Sequence, residues 1–119
     1  MSQFFIIVAG VFGALGVSLA AVASHTAGAT SLGSASSMLL FHAPALLAIG
    51  LFGRASGPGG LTLNLGGLVL LVGAALFAGD LAMRFYKGTA LFPMAAPTGG
   101  TMMIAGWAVI VVAGILLRR

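Results

Sequence analysis

The chain has 119 residues, of which 61% are hydrophobic and 5% charged, and its mean hydropathy is +1.22. A soluble domain carries about 25% charged residues because a surface in water needs them, so this composition excludes a water-soluble enzyme or binding domain. The net charge of +4 comes from five scattered bases and not from a basic patch, which argues against a nucleic-acid partner.

Four apolar runs lie at about 3–24, 36–53, 61–83 and 100–117. Each approaches the roughly 20 residues needed to cross about 30 Å of hydrocarbon at about 1.5 Å per residue. Gly, Pro, Ser and Thr clusters separate them, in "SHTAGATSLGSA" (24–35), "GRASGPGG" (53–60) and "KGTALFPMAAPTGG" (87–100), the usual punctuation between elements. The fold class expected is all-α, a polytopic membrane protein forming a single four-transmembrane-helix bundle over residues 1–119.

The opening "MSQFFIIVAGVFGALGVSLAAVASH" lacks a basic leader region. Its apolar run exceeds the ~7–15 residues of a signal peptide, so a retained first span is expected. Ala9, Gly13, Gly16, Ala20 and Ala23 recur every three or four residues. That stripe of small residues predicts the face turned to the bundle, where backbones approach closely. Phe4, Phe5, Ile6 and Phe12 are left to lipid or core.

In the second span, "LLFHAPALLAIG" sets His42 two residues before Pro44. The proline removes a donor to the carbonyl of Leu40 and predicts a kink near His42. His42 then serves a backbone group or a neighbouring helix, or lines a site. In the third span, Gly66, Gly73 and Asp80 are seven apart and share a face with about 20° of drift per step. Asp80 is the sole acidic residue, and a carboxylate facing hydrocarbon costs roughly 2.5–3.5 kcal/mol on insertion scales. It is therefore expected to face inward and pair with a cation, Arg84 one turn along being the first candidate. At the fourth span, Thr98 is expected to cap the helix start, with Gly99 and Gly100 permitting a tight turn.

Arg54, Arg118 and Arg119 fall on one side of this topology and Arg84 and Lys87 on the other. The positive-inside bias predicts both termini in the cytoplasm and a multi-pass protein of the cell (inner) membrane. His25, His42, Asp80, Arg84, Thr98 and Trp107 then gather in the outer half of the bundle. Two readings stand: they line a polar ligand-binding pocket, or they form an interhelical network that fixes helix register. No Cys is present and no His-x-x-His or Glu-x-x-His spacing occurs, so neither a metal nor a cofactor is expected.

"FHAPALLAIGL" (41–51), "LFAGDL" (76–81), "APTGGTMMIAGW" (96–107) and, more distantly, "AAVASH" (20–25) resemble the domain-of-unknown-function 423 family, the transmembrane protein 256-like group of small four-helix membrane proteins. The resemblance picks out His25, His42, Gly79, Asp80, Pro97, Gly99, Gly100, Gly106 and Trp107. Apolar residues replace the Tyr-Gln pair usual before the second His, and Ala78 stands where Ser is common. The resemblance implies a fold and no activity. The function expected is binding or passing a small solute, ion or lipid group through the outer polar pocket. The alternative is a non-catalytic assembly or structural subunit acting through helix–helix contacts, as a homo-oligomer or with partner helices. Without a nucleophile–base pair, an enzyme is not expected, and membrane lipids are the partners common to both readings.

Overall fold

Backbone N–H and C=O groups in hydrocarbon find no water and must pair within the segment, so each apolar run winds into a helix. The computed structural model, which describes residues 2–52 and 57–117, contains α1 (Ser2–Ser24), α2 (Thr30–Phe52), α3 (Gly57–Lys87) and α4 (Ala95–Leu116). All four are long and apolar enough to cross a membrane, and among the described residues there is no strand. Arg54, Arg118 and Arg119, on which the orientation rests, lie outside the described residues.

The bundle measures 50 × 26 × 18 Å. α1 packs along α2 and α3 along α4, and the contact of α2 with α3 joins the two hairpins. Phe5, Leu32, Leu46 and Leu70 are fully buried between the helices. The Phe5 ring reaches across to α3, where a Cβ on Gly67 would come within 2.8 Å of its tip.

Three expectations about the helices are corrected. α2 begins at Thr30, six residues before the expected 36. Its Ser/Thr-rich opening looks like a loop, yet Leu32, Ala35, Ser36 and Leu39 are buried at helical spacing, and Ser36 Oγ donates to Gly16 O across α1 at 2.7 Å. α4 begins at Ala95, so Thr98 does not cap it. The N-cap is Met94, with φ 69° and no side-chain bond, and the Thr98 amide instead donates to Met94 O at 2.9 Å. Pro97 fits this first turn because an amide there has no helical partner to lose. On α1, the buried face is Phe5, Ala9, Phe12 and Gly16. Ala9 and Gly16 thus keep to the expected stripe, whereas Gly13, with nothing within 4 Å of an added Cβ, is half-buried like Ala20 and Ala23. Two phenylalanines win the core side because they contribute far more contact than glycine.

The expected stripe on α3 holds. A Cβ on Gly66 would meet Ile110 at 2.8 Å, and one on Gly73 would meet Gly99 O at 2.8 Å. Gly59 extends it one heptad toward the helix start, against Leu116 and Leu117. α4 answers with its own sevenfold series, Gly99, Gly106 and Ala113, all buried. Small residues at a constant spacing of seven keep one seam in register along both helices.

Candidate functional site

Asp80 is the next position on the α3 seam, one heptad beyond Gly73, where α4 begins and the α3–α4 connection crosses. It has 0% exposure. Its Oδ2 accepts a bond from Arg84 Nε at 2.9 Å and its Oδ1 accepts one from the Leu91 amide at 2.8 Å. Arg84 is half exposed, so it holds the buried carboxylate while part of its own side chain stays accessible. The carboxylate thus ties the end of α3 to the connection eleven residues on. The expected ion pair is present; the Leu91 amide as second partner was not foreseen.

His42 is buried on α2 at 4% exposure. Its Nδ1 lies 2.7 Å from Met38 O, so the ring donates from that nitrogen, and Nε2 accepts from Trp107 Nε1 at 3.2 Å. This assigns a neutral ring with its proton on Nδ1, since the carbonyl can only accept and the indole can only donate. His42 therefore serves both a backbone group and a neighbouring helix. The carbonyl it uses belongs to Met38, not to Leu40 opposite Pro44. The two rings stand 5.8 Å apart at 51°.

The six sequence-derived candidates therefore resolve into two couples and two single residues. Asp80 joins Arg84 at the end of α3, and His42 joins Trp107 between α2 and α4. His25 is exposed in the turn after α1, and Thr98 is exposed on the first turn of α4. The carboxylate, the imidazole and the indole bond within their own couples or to the backbone, and among the described residues no cavity collects all six.

Open space lies elsewhere. A trough of about 400 Å³ runs beside the second couple, walled by Met38, Phe41, Phe77 and Met103 together with His42 and Trp107. A wider groove of about 920 Å³ opens at the α1–α2 turn and shares Met38 and Phe77 with the trough. The signal for this groove was the Ser/Thr run "TSLGSASS" (30–37), which reads as a linker until it is wound into a helix.

The fold and its polar couples define a small polytopic all-α bundle with a buried ion pair at one end and apolar grooves along its sides. Residues 9–100 match the family described as "Protein of unknown function (DUF423)", and the chain belongs to that family. The matched stretch holds His25, His42, Asp80, Arg84 and Thr98 and stops short of Trp107. No curated protein and no solved structure matches the chain.

Proposed function

We propose that this chain is a non-catalytic protein of the cell (inner) membrane, both termini cytoplasmic, that binds a lipid group on the outer side of the bundle. The observation that carries the reading is the trough of about 400 Å³ beside His42 and Trp107. Its volume lies within the roughly 300–1,000 Å³ of ordinary ligand sites. Phe41, Ile104 and Trp107 on its rim are exposed, so it opens sideways toward acyl chains. The polar couples do not compete for the ligand, because their hydrogen bonds are already made within the protein; they hold the walls in place. The positive-inside count on Arg54, Arg118 and Arg119 supports the orientation.

A second reading, a subunit that assembles through helix contacts, is favoured by the bare backbone at Gly10 and Gly13 on α1, beside the groove at Pro44. Native mass spectrometry from lipid nanodiscs separates the two readings. The wild type is expected to keep one lipid mass per chain. Gly100→Phe should lose it with the fold intact, because Gly100 lines the trough and nothing stands within 4 Å of its Cβ position. No retained lipid, together with an oligomer that Gly13→Leu dissolves, would replace the lipid reading with the assembly reading.

A further inference from the structure

We propose that the groove at the α1–α2 turn is a head-group site for a single-chain amphiphile with an uncharged, hydrogen-bonding head, such as an acylglycerol or a long-chain alcohol. This rests on the reading that the trough beside His42 and Trp107 takes a lipid group, and adds the class of lipid.

The groove of about 920 Å³ is lined by six hydroxyl-bearing residues, Ser24, Thr26, Thr30, Ser34, Ser36 and Ser37. Two are committed to the backbone, Ser24 to Ala21 O at 3.1 Å and Ser36 to Gly16 O at 2.7 Å. Thr26, Thr30, Ser34 and Ser37 make no side-chain hydrogen bond among the described residues. Each hydroxyl both donates and accepts, which suits a head carrying hydroxyl or ester groups.

No Asp, Glu, Lys or Arg lines the groove. Of the ionisable side chains in this half, Arg84 is bound to Asp80 at 2.9 Å, and Arg84, Lys87 and His25 all stand outside the lining of both grooves. A carboxylate or phosphate placed among hydroxyls gains their donors but no cation to offset its charge, so part of its hydration energy is not restored. An uncharged head loses only hydrogen bonds, and four free hydroxyls replace them. Selection is therefore by charge.

The chain of the ligand has a neighbouring apolar space to enter. Met38 and Phe77 wall both spaces, so the two are adjacent and a chain passing over these two flexible or flat side chains joins them. From Thr30 at the mouth to Phe41 on the trough is eleven residues of α2, roughly 16 Å along the axis. That orders the ligand as head at the interface and tail toward the bilayer centre.

Trp107 is the sole tryptophan, so quenching of its emission by brominated acyl chains reports occupancy of the trough. Brominated monoacylglycerol, fatty acid at alkaline pH and phosphatidylglycerol of matched chain length are titrated into the protein in nanodiscs. Monoacylglycerol is expected to quench at about tenfold lower concentration than either anion, a preference of about 1.4 kcal/mol. The Ser34→Ala/Ser37→Ala double variant should bring the three toward parity. Gly33→Phe, at a mouth position with nothing within 4 Å of its Cβ, should weaken monoacylglycerol most. Equal or stronger quenching by the anions, or a preference that survives both variants, overturns the head-group assignment and leaves the trough occupied by lipid of another class. No saturable quenching by any of the three overturns the lipid reading itself.

Discussion

Gly99→Leu is expected to destabilise the protein by about 3 kcal/mol or more, at the upper end of overpacking costs, whereas Gly100→Ala next to it should change stability by less than about 0.5 kcal/mol. A Cβ on Gly99 would stand 2.6 Å from both Gly73 O and the Phe77 amide nitrogen. These are backbone atoms of a packed helix and cannot rotate away, so α3 and α4 must separate along the whole seam. The Cβ position of Gly100 meets nothing within 4 Å. Thermal unfolding in mild detergent reads both variants. Similar midpoints for the two would show that the seam does not hold the hairpin together.

Asp80→Ala is expected to cost about 2–3 kcal/mol. Breaking a buried ion pair costs roughly 3–5 kcal/mol, and the lower figure allows for Arg84, which is half exposed and regains water. The Leu91 amide loses its acceptor as well, so hydrogen exchange should rise over the α3–α4 connection before it rises in α2. Asp80→Asn keeps an acceptor for Leu91 but turns an amide toward Arg84 or forfeits the charge, and should fall between the wild type and Asp80→Ala. The check is the order of the three unfolding midpoints together with exchange at Leu91. An Asp80→Ala protein as stable as the wild type, with Leu91 still protected, would mean the carboxylate holds nothing.

Local spacing made part of this legible. Gly66, Gly73 and Asp80 share a face because seven residues nearly complete two turns, and Asp80 meets Arg84 because four residues complete about one. The matching depth of His42 and Trp107 followed from counting into two spans that enter from the same side, and their bond links residues 65 apart in sequence. What sequence did not expose depends on competition between elements. The α1 stripe of small residues placed Ala9 and Gly16 on the buried face, but Phe5 and Phe12 share that face and leave Gly13, Ala20 and Ala23 half-buried. The Ser/Thr run before Met38 reads as a connection, and only packing of Leu32 and Ala35 makes it helix and turns its hydroxyls into the wall of a groove. Thr98 resembles a cap, yet buried Ala95 draws the helix start earlier. Leu91 offers a backbone amide, which no residue type announces.

The central claim is that a lipid chain lies in the trough beside His42 and Trp107. A diazirine-bearing amphiphile, photolysed with the protein in nanodiscs and mapped by peptide mass spectrometry, tests it most directly. The predicted result is labelling concentrated on Met38, Phe41 and Met103, with Gly100→Phe abolishing it. Labelling spread evenly over the outward residues of α1, such as Val11 and Val17, and unchanged by Gly100→Phe would contradict it.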